Sequence, residues 1–334
     1  LVNEEITETS TFKKVKTGGY RMRVLVYGAG VLGSYLAHVL VRGGNDVTML
    51  ARGRRVDELQ NDGLVIRHYF QLRTTVDKVN VISELQPEDI FDLIFVVMKY
   101  PDFQAVLPAL AANHSRHVVI VGNNASPAEM LSYLEGNSTV EKKVAFAFQI
   151  SAGWRENARI ISVRGPKVQM AVGGLGEELS WRPLIDQAFV KTQYKLTYYK
   201  DMDEWLKSHM IMILPLNFIA QASDGNLRQA AGNKKLLNQV IDAIDEGHRV
   251  LESLGYTVTP ASQSQLARDK RKLLYIALKV ILATPFGRIL LSDKAVSADE
   301  MSALHYAFNE LKQRANIPTP NWDKLQKYAP HLQD

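Results

Sequence analysis

The 334-residue chain contains no cysteine. Disulfides, thiolate-held metals and cysteine nucleophiles are thereby excluded, and a reducing, cytoplasmic setting is expected. Also missing is any apolar run approaching the ~18 residues a membrane span requires. Residues 1–21 are polar and have no signal-peptide core; they read as a flexible tail or as a truncated upstream segment of a sequence that begins at Leu1, with Met22 a candidate natural start. No strong excess of charge is present: the net charge is +5, and Lys and Arg are mixed with acids. The densest basic run, Arg268 to Lys272, reads as one solvated helix face, so nucleic acid is not an expected partner. The eight histidines include no H-x-x-x-H or H-E-x-x-H arrangement, and no metal site is expected.

What the chain does have is concentrated at residues 22–41. The apolar run Val24 to Tyr27 leads directly into Gly28-Ala29-Gly30-Val31-Leu32-Gly33 and then into a helical pattern. This order of strand, glycine turn and helix grips a dinucleotide diphosphate. The first glycine makes the turn, the second lets backbone approach phosphate, and the third lets helix pack on strand. An ordinary strand-turn-helix is the plainer alternative. The next apolar run, Asp46 to Arg52, ends in Arg52-Gly-Arg54-Arg55, and the first acid after it is Asp57. A fold that prefers NAD carries an acid at this strand end for the ribose hydroxyls. Arg52 instead suits a 2′-phosphate, which points to NADPH. A solvated basic loop is the alternative.

The length suits two domains, each burying its own core. Short apolar runs at Arg23–Tyr27, Val47–Ala51, Leu93–Met98, His117–Val121 and Lys143–Gln149 alternate with helical stretches. They predict a Rossmann-like, doubly wound parallel sheet over residues 22–199. Arg159–Arg164 and Val168–Gly173 are expected to pair as a hairpin. From residue 200 to 334 the pattern is all-α. Leu237, Val240, Ile241, Ile244, His248 and Leu251 share one helix face, which Gly255 ends. A helical domain beside a dinucleotide domain places a substrate cleft between them.

Several segments resemble the ketopantoate reductases, also called 2-dehydropantoate 2-reductases, over nearly the whole chain from Met22. They are GAGVLG with VTMLARG, then VVMKY, VGNNA, Asp203-EWLKS, Ser297-ADEM-Ser302 and NELKQRANIPTP. The resemblance implies an NADPH-dependent oxidoreductase that reduces a 2-oxo acid to a 2-hydroxy acid, with a place in pantothenate biosynthesis. It maps the 2′-phosphate contact to Arg52 and a further cofactor contact to Lys99. Asn123 maps to the nicotinamide and substrate, Lys207 to the proton donor, and Glu300 to the acid completing the site. The chemistry is sound: hydride attack on a carbonyl builds negative charge on oxygen, and an ammonium stabilises and protonates it. Each residue also has a plain alternative. Lys207 suits a solvated helix position and Asn123 a turn, and Ser297-x-x-Glu300 is a capping box as written.

Departures from the family pattern fall on the substrate side. Where the family has Asn after its Lys, this chain has Met210 or Ile211, and Leu214 or Pro215. Asn217 lies further along as a substitute, and Arg288 stands near the place of a family Ser, suited to grip a carboxylate or to lie on the surface. A pocket poorer in amides predicts a more apolar substrate than ketopantoate. The competing class is a non-catalytic NADP(H)-binding sensor or scaffold. A homodimer is compatible with the sequence.

Overall fold

The computed structural model describes residues 21–165, 168–223, 225–292 and 296–329, and of Phe286, Arg288 and Leu290 only the backbone. The tail expected at residues 1–21 lies outside these apart from Arg21.

Twelve strands form among the described residues: β1 Arg23–Tyr27, β2 Asp46–Leu50, β3 Leu64–His68, β4 Arg73–Asp77, β5 Asn80–Ile82, β6 Leu93–Val97, β7 His117–Val121, β8 Lys143–Ile150, β9 Ala152–Glu156, β10 Arg159–Val163, β11 Gln169–Gly173 and β12 Lys195–Tyr199. Eight make one sheet in the order β12-β11-β8-β7-β6-β1-β2-β5. The five strands read from the sequence lie side by side at its centre, and all pair in parallel. Their uninterrupted apolar character follows from cover on both faces, and every residue of β6 is buried. Val24 and Val26 enter one core layer, Leu25 and Tyr27 the other.

The expected hairpin does not form. β10 pairs with β9, antiparallel, and with β3 in a separate four-stranded sheet, whereas β11 pairs with β8 and β12 in the large one. The turn is supplied instead by Asn157, whose φ of +52° closes β9 onto β10. Alternation identifies which face of a strand is buried but not which strand lies beside it.

Five helices accompany the strands among the described residues: α1 Val31–Arg42, α2 Arg54–Asp62, α3 Leu107–Ala112, α4 Pro127–Asn137 and α5 Arg182–Phe189. After β12 the chain is helical: α6 Met202–Ala222, α7 Leu227–Gly232, α8 Lys234–Ser253, α9 Ser262–Arg268, α10 Arg271–Ala283, α11 Pro285–Leu290, α12 Ala298–Ala315 and α13 Pro320–Leu325. The face of α8 read from the sequence is buried, and Gly255 follows it at φ +88°. The carboxylate of Glu246 on α8 accepts the backbone N–H groups of Asn321 and Trp322, capping α13 from outside. The basic run at 268–272 is not one solvated face. It spans the end of α9 and the start of α10, where Arg268 pairs with Asp245 and Glu252, and Arg271 with Asp242.

Helix α6 ties the two regions together. Asp201 caps it, its carboxylate accepting from the N–H groups of Asp203 and Glu204 at 2.9 and 3.1 Å, a device worth ~1 kcal/mol. Met202, Trp205 and Leu206 belong to the core beneath the large sheet. From Met210 onward the same helix belongs to the helical core. Lys207 stands where one core gives way to the other.

Candidate active site

The chain leaves β1 through Gly28 at φ +123°. A Cβ there would sit 2.2 Å from the Val97 carbonyl oxygen, and one on Gly33 would sit 2.0 Å from that of Gly28. Both distances are impossible contacts, so only glycine lets α1 close onto the turn. Gly30 differs, because a Cβ on it would meet nothing within 4 Å. Open space therefore lies at the start of α1, which no side chain caps and whose first turn holds no acid among the described residues. The amides of Val31, Leu32 and Gly33 and the positive end of the helix dipole remain for an anion. A dinucleotide diphosphate fits this cradle in both shape and charge.

Arg52 follows β2 and is exposed, its Nη2 donating to the Tyr27 hydroxyl at 3.1 Å. It thus reaches a side chain at the end of β1. Arg54 and Arg55 are both engaged by Glu58, at 3.1 Å each, and Arg55 is buried with a further bond to the Ala158 carbonyl. Arg52 alone of the three forms no ion pair among the described residues.

Lys99 and Asn123 follow β6 and β7, on the side of β1 away from β2. The chain builds outward from β1 in both directions, so a crevice opens at the carboxyl ends of β1 and β6. Glu300, on the first turn of α12, reaches this region. Its Oε1 accepts the Tyr100 backbone N–H at 3.1 Å, and the Asn123 side chain bonds the same carboxyl group. Burial pushes the Glu300 carboxyl above its ordinary range; the Tyr100 N–H, Asn123 and the Lys99 charge oppose the shift without cancelling it. The capping box does not form. Ser297 makes no side-chain cap bond, and Glu300 is turned to Tyr100 and Asn123 instead.

Lys207 is 4% exposed. Its ammonium donates to the Asp203 carboxylate one turn earlier and lies 4.8 Å from the centroid of the Tyr256 ring. Burial holds the Asp203 carboxyl above its ordinary range, against the pull of Lys207. Among the described residues Lys207 forms no ion pair with Glu300. The structure thus gathers Lys99, Asn123 and Glu300 and leaves Lys207 tethered within its own helix.

Three participants escaped the sequence reading. Asp203 was legible as an i, i+4 partner of Lys207. Tyr100 acts through its backbone and Tyr256 from a connection after α8, and neither leaves a sequence pattern. The apolar replacements also have a definite place. Met210, Ile211 and Leu214 pack in the helical core, so the change removes amides without adding a greasy wall. The Asn217 side chain donates to the Ile213 carbonyl of its own helix at 2.8 Å. The Arg288 side chain lies outside the described residues.

Comparison with known proteins shows what the chain is similar to. Residues 24–171 match the family described as ketopantoate reductase PanE/ApbA. This stretch is thus similar to the ketopantoate reductases, and it takes in the glycine turn, Arg52, Lys99 and Asn123. The ketopantoate reductases are oxidoreductases of CH–OH and C=O groups and use nicotinamide cofactors. The chain is 23% identical over 237 residues to 2-dehydropantoate 2-reductase of Pyrococcus abyssi (strain GE5 / Orsay), covering 69% of this chain and 73% of the relative. Among solved structures, D-mandelate dehydrogenase with NADH and anilino(oxo)acetate shares the fold at TM-score 0.69 and 15% identity, covering 92% of this chain and 97% of that one. A PanE/ApbA family ketopantoate reductase from Ralstonia eutropha JMP134 does so at TM-score 0.67 and 17% identity over the same shares. No helix among the described residues is long and apolar enough to cross a membrane.

Proposed function

We propose that this protein uses NADPH to reduce a 2-oxo acid to the 2-hydroxy acid. The reading is carried by one row of features along the carboxyl ends of β7, β6, β1 and β2: Asn123 bonded to Glu300, then Lys99, the open glycine turn and Arg52. When bound, the nicotinamide supplies a hydride to the substrate carbonyl carbon. The protein's own groups do the rest. The uncapped start of α1 holds the diphosphate, and the Arg52 fork donates to the 2′-phosphate. Lys207 stabilises the oxygen on which negative charge builds, and its Nζ gives up the proton. Asp203 keeps that ammonium in place before substrate arrives. Glu300 bonds a substrate hydroxyl, and Asn123 positions both substrate and carboxamide.

Substrate choice follows from what is missing. Without amides at 210, 211, 214 and 215, a substrate rich in hydroxyl groups loses partners, and unpaired polar groups are penalised. We therefore assign branched or aromatic 2-oxo acids in preference to ketopantoate. D-mandelate dehydrogenase, which shares the fold, is known with anilino(oxo)acetate bound. A steady-state comparison of kcat/KM for ketopantoate with branched and aromatic 2-oxo acids, each with NADPH and NADH, tests the proposal. Ketopantoate winning by orders of magnitude refutes the substrate assignment. No turnover with any of them, despite NADPH binding, would instead establish the sensor reading. On this proposal residues 22–199 form the dinucleotide domain and 200–334 the substrate domain of a cytoplasmic enzyme. The homodimer fits an apolar face of α10, where Leu273, Ile276 and Val280 are each more than half exposed.

A further inference from the structure

The proposed reaction uses one end of α1. The other end borders a cavity of about 330 Å³, within the range of small-molecule sites. At 1.5 Å per residue, this 12-residue helix separates the cavity from the glycine turn by roughly 18 Å.

The lining is charged with one sign. Arg42 comes from the last turn of α1, Arg73 from the start of β4, Arg164 from just beyond β10, and Lys191 from the connection between α5 and β12. No Asp or Glu lines the cavity among the described residues. The acid beneath it, Asp77, is buried and already bonded to His38 and to Arg42, at 2.5 Å each. Neither Arg73 nor Lys191 takes part in an ion pair among the described residues. The Arg164 guanidinium lies over the Tyr35 ring at 5.1 Å from its centroid, and the charges of both Arg164 and Arg73 act on the Tyr35 phenol. The side of the cavity opposite α1 is firm, because the Tyr194 hydroxyl donates to the Gln149 side chain at 2.7 Å.

Arg42 is paired with Asp77, but Arg73 and Lys191, brought by separate segments to the same concavity, repel each other and focus a positive potential into it. An anion placed there removes that cost. Guanidinium forks match both carboxylate and phosphate. A planar carboxylate accepts in a single plane, however, whereas a tetrahedral phosphate accepts from several directions at once, as converging segments require. We propose that this cavity binds a small phosphate-bearing anion of two or more charges, a diphosphate or a phosphate ester.

Calorimetric titration of the full-length protein with pyrophosphate, in saturating NADPH so that the glycine turn is filled, tests the site. One saturable site is expected. Arg73→Ala and Lys191→Ala should each weaken it tenfold or more while leaving Tm unchanged, since both residues lie at the surface. Arg52→Ala should leave it unaltered, with or without NADPH, which separates this cavity from the dinucleotide cradle. Absent saturable heat, unchanged affinity in both cavity variants, or loss in Arg52→Ala would overturn the site. Citrate is expected to bind at least tenfold more weakly than pyrophosphate, and equal or tighter citrate binding would overturn the phosphate assignment.

Discussion

Lys207 and Glu300 sit on different helices, and each side chain is already committed to a partner. The ammonium of Lys207 rests on Asp203, and the carboxyl group of Glu300 on Tyr100 and Asn123. Lys207→Ala should lower kcat about 10²–10⁴-fold, the usual worth of a positioned acid, with NADPH affinity by fluorescence titration unchanged. Arg52→Ala should cut the preference for NADPH over NADH by roughly 10- to 150-fold, the value of a charge-assisted bond at ~1.5–3 kcal/mol; kcat/KM for the two cofactors measures it. Glu300 makes a prediction about pH. Its folded pKa is raised, so its stabilising contribution is complete below the ordinary carboxylate range and is lost as pH rises through the folded value. Thermal melts should therefore favour Glu300→Gln over the parent protein more at pH 8 than at pH 4. At this scale the sequence was informative wherever a residue type has a single physical use. Gly28 and Gly33 occupy positions where a Cβ collides with backbone. It was silent where a backbone N–H, as at Tyr100, does the work.

Among the elements, α6 and α8 show how closely two helices of the helical core approach. A Cβ on Gly247 of α8 would lie 2.6 Å from Ile211 Cγ2 and 3.1 Å from the Trp322 ring. Glycine in mid-helix ordinarily costs ~1 kcal/mol relative to alanine, so its presence marks the crossing with α6. Gly247→Ala should nonetheless destabilise the protein, by ~1–3 kcal/mol as overpacked sites do, seen as a lower urea midpoint. The five central strands and the buried stripe of α8 were legible because periods of two and 3.6 residues record burial directly. The separate four-stranded sheet was not, since β10 and β11 are equally apolar and nothing in either run names its neighbour. Likewise the basic run at 268–272 looked solvated because its acid partners lie on α8, 16 to 29 residues earlier in the chain.

For the molecule as a whole, buried histidines set the acid limit. His68, His209 and His248 are each lowered to about 4, mainly because burial disfavours the charged ring. A depressed pKa gives stability that is present above the ordinary value near 6.5 and is lost as pH falls through the folded value. Tm should accordingly be level above pH 6.5 and fall steeply toward pH 4. His248→Leu should flatten that fall, since both ring nitrogens are buried without a hydrogen-bond partner. The change from strands to helices near residue 200 was readable from the change of periodicity, but the continuity of α6 from one core into the other was not. That continuity bears on protein engineering. A chimera spliced at residue 199 would hand Met202, Trp205 and Leu206 to the donor and strip the recipient's β-layer of its own plug. The viable exchange point is mid-helix, between Lys207 and Met210, where only solvent-poor backbone is cut and each half keeps the side chains it was fitted to.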